Sequence, residues 1–509
     1  MPTAKKKPPV QAKHKKMVQK HLVETFGLDT LRPGQQAVIY GILGGKDVLA
    51  VMPTGAGKSL CYQIPSLILP GTTLIISPLI SLMKDQKEKM DTLDLAAFEI
   101  NSNISETEIK EGIADARKGE AEFVYVTPER LANPEFMKQL KKIHIDLVVV
   151  DEAHCITQWG HDFRPAYLEI KSAIEKLGHP RVLALTATAT PEVIEDIQAQ
   201  LGLEKMKVVS TSILRENLFF EAHLCESEDE KRLKLLEELR ASEGSRIVYA
   251  STIKIAKELK DYLDSEGLEA GLYHGKMSAG DRAASQDSFM CGETEIIVAT
   301  TAFGLGIDKP DVRAVIHYNF PSSLEAYYQE AGRAGRDGLD AKCSLLYLRK
   351  DKSVQSFFLA GKFPRLDEIS KVAEALIELG IGETLELEEL QQKVGKVAKT
   401  KLAVILRAFQ GQGAVRLKGK TVKAVRKIKL EEGLRIADAY KLKQENSEEK
   451  LKRIITYAQT ALCRWKIIRS YFGELVEDDA CGHCDNCLSG RSTAVAHIQA
   501  EMAAAEARP

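Results

Sequence analysis

The chain has 509 residues, 44% of them hydrophobic and 28% charged, with a formal net charge of −1. That length exceeds one core and predicts about two to four domains of a globular protein. No apolar run is long enough to span a bilayer and the N-terminus does not read as a signal peptide, so neither a membrane-spanning helix nor secretion is expected. Nine cysteines without an export signal predict a reducing cytoplasm, with nucleoid association if the source is bacterial. Residues 1–16, with Ala4-Lys5-Lys6-Lys7, read as a basic disordered tail. Residues 17–208 alternate short apolar runs with amphipathic stretches. The runs Val48–Met52, Thr73–Ser77, Phe123–Val126, Leu147–Val150 and Val182–Leu185 are rich in β-branched residues, and each is followed by a polar turn. This is the pattern of a parallel sheet buried on both faces, whose ligands gather beyond the carboxyl ends of the strands.

Pro53-Thr54-Gly55-Ala56-Gly57-Lys58-Ser59 follows the first run. Glycines let backbone N–H groups wrap a phosphate, the lysine reaches the outer phosphates, and the serine hydroxyl suits Mg²⁺. The usual first glycine of this pattern is replaced by Pro53 or Thr54. Asp151 and Glu152 follow the strand Leu147–Val150; Asp151 is assigned to the metal and Glu152 to the attacking water. An Asp-Glu pair by itself would be a solvated turn; the phosphate loop upstream reverses that reading. His154 can link this site to Thr186-Ala187-Thr188. The loop Trp159-Gly160-His161-Asp162-Phe163-Arg164-Pro165-Ala166-Tyr167 holds three aromatics and an arginine, which can stack on exposed bases or pin the loop to the core. Composition leaves those two readings open.

Together these residues resemble a superfamily-two helicase, and specifically the RecQ family of DNA helicases. Leu28 to Gln36 is similar to that family's opening motif, which implies that Gln35 reads the adenine edge with support from Arg32; Leu31 stands where the family has phenylalanine. Ser77 to Gln86 and Thr127-Pro128-Glu129-Arg130 resemble the next two motifs. The resemblance covers most of residues 20–350. It implies that Trp159, Phe163, Arg164 and Tyr167 couple single-strand binding to ATP hydrolysis. It also implies two tandem RecA-like domains, 17–208 and 209–353, and unwinding from 3′ to 5′.

Strand candidates resume at Arg246–Ala250, Glu295–Ala299 and Ala314–Tyr318. Thr300 to Asp308 follows a strand, and Asp308 can link phosphates and nucleotide. Gln329 to Gly338 places Arg333 and Arg336 three apart, expected on one side of a helix turn. A planar guanidinium suits bidentate phosphate contact. Arg336 is the expected finger across the cleft and Arg333 its support, which agrees with the family's last motif.

Beyond the motor the chain departs from the family pattern. Leu366–Ile377, Leu385–Val394 and Thr400–Phe409 have helical spacing, and Ala414–Lys423 alternates like a hairpin. Residues 364–430 therefore resemble a winged helix displaced upstream. From Gln391 to Leu430 there are twelve Lys or Arg and no acid, which suggests a phosphate-facing patch including Lys418, Lys420 and Lys423. Residues 431–490 are expected to form a helical zinc-binding domain. Cys463, expected inside a helix from Glu449 to Tyr471, joins Cys481, Cys484 and Cys487 as tetrahedral Zn²⁺ ligands, with His483 as a weaker substitute. Residues 491–509 form a tail without a motif.

The overall expectation is an α/β protein: an ATP-dependent, Mg²⁺-using DNA helicase with a structural Zn²⁺, acting in repair and recombination. Single-stranded and duplex DNA are the expected partners, a single-strand binding protein is a candidate, and the chain is expected to be a monomer. The rivals are an RNA helicase, an ATP-dependent remodeller without processive unwinding, and a binding protein with a degenerate motor.

Overall fold

The computed structural model describes residues 10–78, 80–101, 104–157, 164–304, 307–351, 363–478 and 480–495. The chain divides into two compact units: one holds residues up to 321, 325–347 and 457 onward, the other 322–324 and 348–456.

Residues 10–16, expected in a disordered tail, instead begin the helix Val10–Glu24, which is held down by its buried Val18 and Leu22. The first unit also contains two sheets. The strands β1 (Val48–Val51), β2 (Thr72–Ile76), β3 (Ala97–Ile100), β4 (Phe123–Val126), β5 (Ile145–Val150), β6 (Arg181–Thr186) and β7 (Lys207–Ser210) lie in the order β3-β4-β2-β5-β6-β1-β7. All their pairings are parallel. Successive side chains enter opposite cores: Val148 and Val150 pack on one face, Leu147 and Val149 on the other. Two buried faces explain why the strands read as continuous apolar runs. β3 and β7 are absent from the sequence expectation because they form the sheet edges and stay largely unburied, with Val209 the buried residue of β7.

The second sheet comprises β8 (Leu218–Cys225), β9 (Ser245–Tyr249), β10 (Ala270–Tyr273), β11 (Ile296–Ala299), β12 (Val312–His317) and β13 (Ala341–Leu348), in the order β10-β11-β9-β12-β13-β8. Leu235, Leu239, Leu259 and Leu263 from two helices cover one face. Each sheet is RecA-like, with chemistry-bearing turns leaving the carboxyl ends of its strands.

The second unit has helices Leu366–Ile377, Leu387–Val394 and Lys399–Gly411, then a hairpin of β15 (Val415–Lys418) and β16 (Thr421–Ala424), to which β14 (Thr384–Glu386) adds a third antiparallel strand. Ile369, Leu376, Leu390, Ile405, Phe409 and Val422 share its core. This winged-helix-like order matches the expectation except for β14. The helix Leu430–Gln459 runs out of this unit. It stops before Cys463, so that cysteine is not inside a helix as expected. Cys463 instead caps the helix Arg464–Tyr471, its sulfur accepting the Lys466 N–H. The chain turns at Thr460 to Leu462 because the Asn486 amide takes the carbonyls of Thr460 and Leu462, leaving them unable to continue a helix.

Candidate active site and metal centre

β1 ends at Val51, and the phosphate loop turns back under a short helix, Leu60–Ser66. Gly55 and Gly57 adopt φ of +84° and +74°, and a Cβ on Gly57 would lie 2.6 Å from Gln35 Nε2. Both positions therefore require glycine. Gln35 is 2% exposed. Its amide donates to the carbonyls of Ala56 (3.1 Å) and Gly57 (3.0 Å), while its Oε1 accepts from the Arg32 N–H. The Arg32 guanidinium donates to the Gly55 carbonyl. The two residues expected at the adenine thus brace the phosphate loop itself. Ala56 packs against the core below the loop.

Thr54, Gly55, Gly57, Lys58 and Ser59 line one wall of a cavity of about 350 Å³, together with Asp151 and Glu152. The register Ile76↔Val150 aligns the ends of β2 and β5, and the Asp151 N–H donates to the Ile76 carbonyl. Burial lowers the Lys58 pKa, opposed by the charges of Glu152 and Asp151. Burial and the neighbouring Glu152 charge push the Asp151 carboxyl up to about 7, with Lys58 pulling the other way. Glu152 has φ +47°, a left-handed conformation that costs energy in a non-glycine residue and is typical of working sites. His154 Nδ1 lies 3.0 Å from Thr186 Oγ1 and 3.3 Å from Glu152 Oε2, so the acid motif touches the turn after β6.

Asp308, Arg333 and Arg336 line the opposite wall of the same cavity. The arginines do not share a helix, contrary to expectation. The helix Leu324–Ala331 ends first, and Gly335, at φ +56°, forces a turn between them. The Nε atoms of Arg333 and Arg336 are buried without a protein acceptor, as an anionic ligand would require. Arg336 Nη1 pairs with Asp308 Oδ1 at 2.7 Å, and Asp308 Oδ2 meets Lys89 Nζ of the first lobe at 2.5 Å. Lys89 carries no motif signal in the sequence. The cavity's basic walls and glycine cradle suit ATP, and Ser59 with Asp151 would hold Mg²⁺, which supplies charge neutralisation at the phosphates when bound.

Trp159 and Phe163 lie outside the described residues. Arg164 is half-buried and donates to the Pro78 carbonyl at 2.6 Å. Tyr167 overturns its expectation as a base contact. It is 0% exposed within the core, and its hydroxyl donates to the Asp151 carbonyl at 2.8 Å. No ring face is left for a base; the residue instead ties the loop's end to the acidic motif.

The Sγ atoms of Cys463, Cys481, Cys484 and Cys487 lie within 4.8 Å of one another. Tetrahedral Zn²⁺ with bonds of about 2.3 Å requires sulfurs roughly 3.8 Å apart, and Cys481 and Cys487 are separated by 3.9 Å. Backbone N–H groups of Cys481, Arg464 and His483 point at the sulfurs, as thiolates require. The donor set fits Zn²⁺. His483 turns Nδ1 to the Cys481 carbonyl at 2.8 Å and is not in the cluster. Four of the other cysteines, Cys61, Cys155, Cys225 and Cys343, are buried, and Cys291 is exposed. On the second unit Lys418, Lys420 and Lys423 are all exposed. Among the described residues, no helix is long and apolar enough to cross a membrane.

Comparison with known proteins agrees with this geometry. Residues 32–197 match the DEAD/DEAH box helicase family, 230–338 the helicase conserved C-terminal domain and 422–488 the RecQ zinc-binding family. The chain is 37% identical over 483 residues to the ATP-dependent DNA helicase RecQ of Bacillus subtilis (strain 168), covering 94% of this chain and 68% of that protein. It is 35% identical to the probable ATP-dependent DNA helicase RecS of the same organism, covering 93% and 92%. Among solved structures, the fold is similar to Mycobacterium smegmatis helicase Lhr bound to ssDNA and AMP-PNP, with a TM-score of 0.56 and 19% identity over 82% of this chain and 61% of that one. Cavity, cysteine cluster and relatives converge: the chain belongs to the RecQ family of ATP-dependent DNA helicases.

Proposed function

We propose that the chain unwinds duplex DNA from 3′ to 5′ in repair and recombination, by opening and closing its two lobes around one ATP. The observation that carries the reading is the cavity itself, with Lys58, Asp151 and Glu152 on one wall and Arg333 and Arg336 on the other. The phosphate loop and Lys58 bind the triphosphate, and Glu152 orients the attacking water and takes its proton. Arg336 meets the charge that develops on the γ-phosphoryl, with Arg333 in support. Asp308 exchanges its partner when Arg336 turns to the phosphate. Neither lobe holds a complete site, so ATP favours closure and hydrolysis releases it.

Trp159, Phe163 and Arg164 are the proposed single-strand contacts, coupled to Asp151 through Tyr167. The Arg164 N–H on the Cys155 carbonyl (2.9 Å) supports this by joining the two sides of that loop. Lys418, Lys420 and Lys423 are proposed to contact duplex phosphates, which their shared exposure supports. We also propose the domains expected at 17–208, 209–353, 364–430 and 431–490, with the end of the first moved to 210 because β7 runs to Ser210 and the end of the third moved to 456 because residues 348–456 form one compact unit. We propose action as a monomer, because every proposed hydrolysis group comes from one chain. The test is strand displacement on tailed duplexes of both polarities, with ATPase assays on single-stranded DNA and RNA and Lys58→Ala as control. Displacement only of strands reached 3′ to 5′, lost in Lys58→Ala, is expected. Stimulation by RNA alone, or unwinding with the opposite polarity, overturns the reading.

A further inference from the structure

The segment joining the lobes, between β7 and β8, is held from three directions. At its start, the Thr211 N–H donates to the Val51 carbonyl, next to the phosphate loop. In its middle, Glu474, just past the zinc-ligand helix, accepts from the Ile213 N–H (2.5 Å) and the Ser212 hydroxyl (3.1 Å). Glu474 is itself fixed by Arg469 at 2.7 Å. The Ile213 carbonyl accepts from the Tyr328 hydroxyl at 2.6 Å. At its end, the Arg215 guanidinium donates through Nη1 to the Gly332 carbonyl (3.0 Å) and through Nη2 to the Gly335 carbonyl. These two carbonyls bracket the turn that carries Arg333 and leads into Arg336. The turn keeps only i−3 bonds at Arg333 and Ala334, to Glu330 (3.2 Å) and Ala331 (3.0 Å), and the Asn217 amide also donates to the Gly335 carbonyl (2.8 Å), while the Arg215 side chain reaches both bracketing carbonyls.

We propose that Arg215 is a positioning residue for the phosphate-facing arginines, and that Glu474 anchors the linker bearing it, so the zinc-binding segment sets the geometry of the ATP step. This rests on the reading of Arg336 as the group that meets the γ-phosphoryl. A planar fork reaching two carbonyls is chemistry that lysine does not reproduce. Neither Arg215 nor Glu474 lines the ATP cavity.

The experiment is a double-mutant cycle on DNA-stimulated ATP hydrolysis by the full chain, with nucleotide affinity, melting temperature and zinc content measured alongside. Arg215→Ala is expected to lower kcat by tenfold or more, with KM for ATP and nucleotide affinity within twofold of wild type. Arg215→Lys is expected to recover only part of the loss. In an Arg336→Ala background, Arg215→Ala is expected to add nothing, because its effect passes through the missing side chain. Multiplying losses in the double variant, or an unchanged kcat in Arg215→Ala, overturns the proposal. If Arg336→Ala alone keeps its kcat, it is the underlying reading of Arg336 that fails. Glu474→Ala is expected to speed amide exchange at Ile213 and Leu214 at unchanged zinc content; unchanged exchange there removes Glu474 from the proposal.

Discussion

Phe220 on β8 is fully buried, its ring meeting Trp465 of the zinc-ligand helix edge-on at 4.9 Å and 88°. Trp465 is 1% exposed and donates its indole N–H to the Leu218 carbonyl at 3.2 Å. This contact docks the zinc-binding segment on the second lobe. Phe220→Ala removes a buried ring and leaves a cavity, at a cost of about 3–5 kcal/mol. Of this, about 0.5–1.5 kcal/mol is the ring pair. Phe220→Leu keeps most of the volume and loses the ring pair, costing about 1–3 kcal/mol. The chain has two tryptophans, so a Trp159→Phe background leaves Trp465 as the single reporter of docking. With a urea slope of about 3 kcal/mol/M, Phe220→Ala should lower the midpoint of the Trp465 fluorescence transition by roughly 1–1.7 M, and Phe220→Leu by less than that. Equal shifts for the two variants, or an unmoved Trp465 transition, would refute the docking argument.

Burial and the neighbouring Glu152 push the Asp151 carboxyl up to about 7, so a proton is expected to compete with Mg²⁺ below that pH. Magnesium-dependent nucleotide affinity should rise with pH up to about 7 and then level off, and Glu152→Gln should move that break downward; identical profiles for the two proteins would discard the assignment. Because the raised pKa favours the protonated folded state, this carboxyl's contribution to stability without metal is full below the unfolded pKa and falls as pH rises through about 7, observable in melts compared with Asp151→Asn. Cys484→Ser or a strong chelator should release zinc and melt the segment around Trp465 first, since such sites carry about 10–16 kcal/mol of apparent folding free energy in small peptides; simultaneous melting of the ATP lobes would contradict this. Replacing Lys418, Lys420 and Lys423 with Glu should weaken duplex binding and flatten the log–log salt slope by about 2–3, read by fluorescence anisotropy.

The chemistry of this protein was legible wherever one short stretch contains it. Gly55 to Ser59, Asp151-Glu152 and Cys481 to Cys487 each sit within a few residues, so residue type and spacing suffice to read them. The central strands of the first sheet, and β9, β11 and β12 of the second, were legible because both faces are buried; β13, equally buried, was missed, as were β8 and β10 at that sheet's edges. The edge strands β3, β7 and β14 were not legible either, since an exposed edge tolerates polar residues and blurs the pattern. Tyr167 misled because an aromatic in a polar loop reads alike whether it points to solvent or into the core beneath Asp151. Arg333 and Arg336 were read as helical because their spacing fits a helix; the left-handed Gly335 between them was the missed sign.

By itself, the order of residues determined the parallel-sheet lobes, the glycine-rich loop after β1, the acidic pair after β5 and the four-cysteine set. Only the tertiary structure decided that Gln35 braces the phosphate loop, that Lys89 meets Asp308, and that Glu474 grips Ile213 from 261 positions away. Local patterns record which face of an element is apolar and which turn needs glycine. A contact between distant polar groups leaves no periodic trace, because it is set by how the packed lobes bring their loops together.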